Sequence, residues 1–117
     1  MQLREIAERL ALSALCDAGE DGLAVDVHYG HASDLLSDVL ANAPDGCMLV
    51  TIQVHMNVIA VALHAGVSAV IFSSGMVPEQ EVKEKAAEEN LFLFSSQETT
   101  FTVAGRMYEL GIIGAER

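Results

Sequence analysis

Cationic side chains are scarce in this 117-residue chain: Arg4, Arg9, Lys83, Lys85, Arg106 and Arg117 are all of them, against 17 Asp and Glu, for a formal net charge of -11. None falls between residues 10 and 82. A protein that grips nucleic acid or an anionic membrane displaces counterions with clustered Lys and Arg, and this chain offers no such footprint. Cysteine is nearly absent too. Cys16 and Cys47 stand far apart, without a CxxC pair and with no secretory leader ahead of them, so they read as small buried hydrophobes of a cytoplasmic protein. A long apolar run is also missing. Met48 to Phe72 has no formal charge, but Gln53, His55, Asn57, His64, Gly66 and Ser68 interrupt it. Its longest unbroken stretch, Val58 to Leu63, is far short of the roughly 18 residues a spanning helix needs. No GxSxG elbow and no GxxxxGK[ST] loop occurs.

What is present suits one folded domain over residues 1–117, since 51% of the residues are hydrophobic. Leu3, Ile6, Ala7, Leu10 and Ala11 recur at helical spacing, which predicts an amphipathic helix over 2–12. A short strand is expected over Leu12 to Cys16, a turn over Asp17 to Gly22, and a second strand over Leu23 to Tyr29. Ser33 then caps a helix to about Ala43, with Asp34 in its first turn and Leu35, Leu36, Val39 and Leu40 on its buried face. The segment Ala43-Pro44-Asp45-Gly46 closes it as a turn.

From Met48 one pattern repeats three times. Strands at Met48 to Ile52, Ala69 to Phe72 and Leu91 to Phe94 are each followed by a helix, at His55 to His64, Pro78 to Glu89 and Glu98 to Leu110. Consecutive βα units with continuously apolar strands predict a three-layer α/β sandwich with a mainly parallel sheet. Ligands of such sheets bind beyond the carboxyl ends of the strands. The polar strand-to-helix junctions there make Gly30, His31, Ser33, Gln53, His55, Asn57, Ser73, Ser74, Gly75 and Ser95 the candidate ligand-binding residues. Their hydroxyls, amides, imidazoles and free N–H groups, with Ser73-Ser74-Gly75 read as an open turn, suit hydrogen bonding and mild anion recognition.

His28, His31 and His55, with Asp26 and Asp34, have the chemistry of a divalent-metal site, but His28 falls on a strand and His31 in the following loop, so no metal is assigned. His64 suits the C-terminal end of its helix. The serines at the junctions read as helix caps before they read as nucleophiles, and no catalytic residue is assigned. Glu79, Glu81, Glu84, Glu88 and Glu89, with Lys83 and Lys85, form a solvated helix face. By contrast, the helix from Met56 to Ala65 is apolar nearly all round. In so small a domain this predicts a homodimer, with Met56, Ile59, Ala60, Ala62 and Leu63 at the interface.

The stretches Gly30-His31-Ala32-Ser33-Asp34-Leu35-Leu36-Ser37-Asp38-Val39-Leu40-Ala41-Asn42-Ala43 and Leu49-Val50-Thr51-Ile52-Gln53-Val54-His55-Met56-Asn57-Val58-Ile59-Ala60-Val61-Ala62 resemble a DRTGG domain. So do Val70-Ile71-Phe72-Ser73-Ser74-Gly75 with Pro78, Leu93-Phe94-Ser95-Ser96, and the Ala104 to Gly111 end. The resemblance implies a fold similar to the amino-terminal domain of HPr kinase, in domains that occur alone or beside regulatory CBS domains, are generally dimeric and have no established catalysis of their own. The motif that names the family falls at Val25 to His31, where the arginine is missing and Gly30 alone of the glycine pair stands, next to His31. Loss of that arginine weakens the expectation of phosphate recognition. The expected function is therefore a non-catalytic regulatory or accessory module that homodimerises, acts through an unidentified protein partner and senses a small ligand, without a cofactor. The alternative is an adenine-nucleotide sensor using Gly30, Ser33, His55, Asn57, Ser73, Ser74 and Gly75, and a metal-dependent enzyme on His28, His31 and His55 stands below both.

Overall fold

Four apolar runs make the parallel part of the sheet: β2 (Gly30–Ala32), β3 (Met48–Thr51), β4 (Ala69–Phe72) and β5 (Phe92–Ser95). The computed structural model describes residues 1–115. Helices α2 (Leu36–Asn42), α3 (Asn57–Ala65) and α4 (Gln80–Glu88) connect the four strands in turn, and β1 (Ser13–Ala14) pairs antiparallel with β5. The strand order is β1-β5-β4-β3-β2. Every parallel crossover steps in the same direction, so α2, α3 and α4 share one face of the sheet. Helices α1 (Leu3–Arg9) and α5 (Thr100–Glu109) cover the other. The expected three-layer α/β sandwich is what the chain forms.

The strands alternate between two cores. Met48, Val50, Ala69, Ile71, Phe92 and Phe94 face α1 and α5, while Leu49, Val70, Phe72, Leu91 and Leu93 face the other three helices. Both faces are covered, which is why the strands read as unbroken apolar runs. The winding also has a consequence for function. Because it never reverses among the parallel strands, no switch-point crevice opens above their carboxyl ends.

Several elements differ from the sequence-based expectation, each for a local reason. Residues Leu23 to Tyr29 are not a sheet strand. Asp21–Ala24 is a 3-10 turn, and the extended chain after it pairs with the amino terminus: Leu3 N–H donates to Val25 C=O at 2.9 Å and Val27 N–H to Met1 C=O at 2.8 Å. Strand β2 begins only at Gly30, so Gly30 and His31 lie in the sheet and not in a loop. The first helix ends at Arg9, and Ala11 takes a left-handed φ of 53° as the chain turns into β1.

Helix α2 starts at Leu36, two residues later than Ser33 as a cap would give. Val39 is then its fully buried residue, whereas Leu35 and Leu40, expected inside, are exposed. Helix α3 ends on Gly66, whose left-handed φ of 72° closes it, so His64 is an exposed last-turn residue and not the cap. Its Ile59 and Ala62 are 1% and 0% exposed within the chain's own core, a burial that removes both from any subunit interface. Ala60 and Leu63 do face outward, and Met56 is half-buried.

Candidate functional site

The carboxyl rim of the sheet, where the candidate ligand residues cluster in sequence, is a set of latches between neighbouring loops. After β2, Ser33 N–H extends the ladder to Val50 C=O at 3.1 Å, and Ser33 Oγ accepts from Leu35 N–H at 3.2 Å. Asp34 Oδ1 then accepts from both Thr51 Oγ1 and Ile52 N–H, each at 2.9 Å. Gln53 Nε2 donates to Asp34 C=O at 3.1 Å, while Gln53 N–H donates to Thr51 Oγ1 at 3.1 Å. His55 Nδ1 accepts from Asn57 N–H at 3.1 Å, and these are the residues that open α3.

Over β4 and β5 the pattern is the same. Ser73, fully buried, shares a 2.6 Å hydrogen bond with Thr100 Oγ1. Ser74 and Gly75 both take left-handed backbone, which turns their N–H groups onto the next loop: Ser74 donates to Glu98 C=O at 2.7 Å and Gly75 to Ser96 C=O at 2.8 Å. Ser73 and Met76 N–H are bonded as well, so the turn expected to carry free N–H groups has none to offer an anion. Thr99 caps α5, and Arg106 donates to Glu98 Oε1 at 2.7 Å and to Arg9 C=O at 2.9 Å. Ser95 closes β5, paired on one side with Ser13 and on the other with Phe72.

The histidines of the metal reading go to separate tasks. His28 is exposed on the segment before β2, His31 bonds an aspartate, and His55 caps a helix. Among the described residues no group of three or more His, Cys, Asp and Glu side chains is placed to hold a metal ion.

A concave site lies elsewhere, along the open edge of β2. A cleft of about 290 Å³ runs between this strand and α5. Its walls are mostly apolar, from Val50, Ala104, Met107, Ile112 and Ile113, with His31, Asn42 and Tyr108 as its polar side chains. The bare Gly30 leaves room for the Met107 side chain of α5: a Cβ there would lie 2.7 Å from the Met107 methyl, which would have to shift, and 3.6 Å from Ile112 Cγ2, an ordinary contact. The chain after α5 also joins the edge: Gly30 N–H donates to Ile113 C=O at 2.9 Å, and Tyr108 Oη accepts from Gly114 N–H at 3.1 Å.

Asp38 organises the polar end of the cleft. His31 Nε2 lies 2.8 Å from its Oδ2, and Asn42 Nδ2 donates to its Oδ1 at 2.8 Å. These bonds, Asn42 first and then His31 and Ser33, hold the Asp38 carboxyl down at about 2. Of the candidate residues, then, Gly30 and His31 come together at the cleft, and the rest belong to the latched rim. Asp38, Asn42 and Tyr108 escaped the sequence reading. The first two sit four apart on α2, a helical spacing that marks a common polar side, but nothing in the sequence ties Tyr108 to His31.

A second, more open hollow of about 690 Å³ borders β1 and includes Arg4, Glu8 and Cys16. Desolvation raises the Cys16 thiol above its ordinary value, which argues against a nucleophile there.

Comparison with known proteins adds two findings. The DRTGG domain profile matches residues 5–110. Among solved structures, the chain is similar to the CBS and DRTGG domains of the regulatory region of Clostridium perfringens pyrophosphatase, complexed with its activator diadenosine tetraphosphate. The TM-score is 0.71 at 18% identity, over 91% of this chain and 45% of that one. The chain thus spans less than half the length of that chain, and the likeness is one of fold. No curated protein matches the sequence.

Proposed function

The chain belongs to the DRTGG domain family, and on that premise we propose that it is a non-catalytic regulatory or accessory module that homodimerises, acts through a protein partner and responds to a small ligand held at the β2 edge. The observation that carries this reading is the contrast between the two polar regions. On the sheet's carboxyl rim the groups that chemistry would need are bonded to one another: Ser73 to Thr100, Ser96 Oγ to Glu98 N–H, and His55 to the start of α3. The β2-edge cleft, by contrast, has apolar walls and a few fixed polar groups, the composition of a binding site. His31 there is hydrogen-bonded to the Asp38 carboxylate, and no hydrogen bond from it to a hydroxyl or thiol is seen among the described residues, which supports a binding role over a hydrolytic one.

The second reading, an adenine-nucleotide sensor, draws support from the activator in the solved neighbour, which is a property of that protein. Against it stand the absence of Lys and Arg from residues 10 to 82 and the engagement of Arg106 by Glu98. A thermal-shift panel separates the readings. A ligand at 100 times its dissociation constant stabilises by about 2.7 kcal/mol, and the regulatory-module reading expects this from a neutral compound and not from nucleoside polyphosphates.

The dimer contact uses the outward side of α3, Ala60 and Leu63, with exposed Leu40 on neighbouring α2. Light scattering tests it, with twice the chain mass expected at micromolar concentration and a single-chain mass refuting it.

A further inference from the structure

Strand β2 presents a hydrogen-bonding edge to the cleft. Tyr29 C=O accepts from Met48 N–H at 3.0 Å and Ser33 N–H donates to Val50 C=O at 3.1 Å, so residues 29, 31 and 33 turn their backbone toward β3. Gly30 N–H points the other way, to Ile113 C=O. The alternation leaves Gly30 C=O and Ala32 N–H facing outward, and neither meets a hydrogen-bond partner among the described residues. Both residues line the cleft.

An acceptor and a donor two residues apart on one strand edge meet a ligand as an adjacent pair. The complementary ligand is flat, with a donor beside an acceptor on one rim, as in the Watson–Crick edge of a nucleobase. The remainder of the cleft selects the same class. Val50, Met107 and Ile112 supply apolar walls for the ring. At about 290 Å³ the space lies at the small end of the roughly 300–1,000 Å³ of ligand sites, enough for a base or nucleoside and too little for a dinucleoside polyphosphate. Among the described residues no Lys or Arg lines it, and the chain's net charge of -11 repels phosphate. At the polar end, Asn42 donates to Asp38, which leaves Asn42 Oδ1 as an acceptor for a sugar hydroxyl.

We propose that the β2-edge cleft binds an uncharged nucleobase or nucleoside, read through its Watson–Crick edge by Gly30 C=O and Ala32 N–H. The assignment rests on the reading of this cleft as the ligand site. Adenosine is the probe, its N6–H donating to Gly30 C=O and its N1 accepting from Ala32 N–H.

The experiment is calorimetry with the full chain against adenosine, N6,N6-dimethyladenosine and adenosine monophosphate, joined to an amide-shift titration. Adenosine is expected to bind and to move the Gly30, Ala32 and Ile113 amides. The dimethyl analogue, which lacks the donor, should bind at least tenfold more weakly, and the monophosphate no more tightly than adenosine. Ala32→Pro removes the outward N–H at a position where an edge strand tolerates proline, and should weaken adenosine at least tenfold. Ala104→Phe, which fills the cleft from α5, should do the same and serves if the proline variant does not fold. Equal binding of the dimethyl analogue, tenfold tighter binding of the monophosphate, or undiminished binding by the folded variants overturns the proposal. So does the absence of adenosine binding. If other uncharged fragments then still shift the cleft amides, the nucleobase assignment alone falls; if none does, the cleft as a ligand site falls with it.

Discussion

Replacing Asp34 by Ala tests whether the carboxyl rim is a structural latch. One carboxylate oxygen accepts from Thr51 Oγ1 and Ile52 N–H, each at 2.9 Å, and Thr51 is 0% exposed. After truncation Thr51 Oγ1 still accepts from Gln53 N–H, but its own proton loses its acceptor. An unsatisfied buried donor costs about 1–3 kcal/mol, and the Ile52 bond, in an exposed loop where water can replace the acceptor, adds about 0.5 kcal/mol. The expected loss is therefore about 2–3 kcal/mol, or roughly 10 °C in Tm for a domain of this size. Urea denaturation at unchanged slope measures it. A cycle with Thr51→Val isolates the pair, and a coupling of about 1–2 kcal/mol is expected for groups in direct contact. A loss under about 0.5 kcal/mol, or a coupling of zero, would refute the latch and return Asp34 to the pool of ligand-binding groups.

Further expectations follow from single features. Gly66→Ala places a Cβ on a left-handed residue and against the Asp45 carboxylate, and should destabilise by about 1–2 kcal/mol in the same denaturation assay. Burial pushes the Cys47 thiol up to about 12, so a thiol reagent at pH 8 should label it only after unfolding. The Asp38 carboxyl, held at about 2 against an ordinary 3.8, stabilises the fold fully above about pH 4, and that contribution disappears as pH falls toward 2. Asn42→Ala should raise the Asp38 midpoint in a carbon-13 titration; an unmoved midpoint would mean that Asn42 is not its main partner. Leu63→Glu should reduce the mass by light scattering to one chain, whereas Phe101→Ser should not. Phe101 is 89% exposed, so the reverse result would move the interface to α5.

The α/β architecture was legible because each strand from β3 onward is apolar on both faces and is followed by a helix of the right length. The edge strand was not. Residues 23 to 29 alternate like a strand, yet only Val27 is buried, and the backbone partners of Val25 and Val27 come from the amino terminus, which no local pattern reveals. Gly30 and His31 read in sequence as loop residues at a helix start, whereas they belong to β2. The rim serines and Asp34 look like binding groups in sequence because capping, latching and ligand contact use the same side chains. Only the distances separate these roles. The cleft itself depends on α5 returning across the sheet to the β2 edge, a long-range placement invisible to periodicity.

On the proposed reading, ligands enter at the β2 edge and not above the carboxyl ends of the strands. Amide-shift mapping with a library of uncharged heterocyclic fragments tests it directly. Perturbations should gather on Gly30, Ala32, Tyr108 and Ile113, with Gln53 to Asn57 and Ser73 to Gly75 unmoved. Perturbations centred on those two loops, with the β2 edge silent, would contradict it.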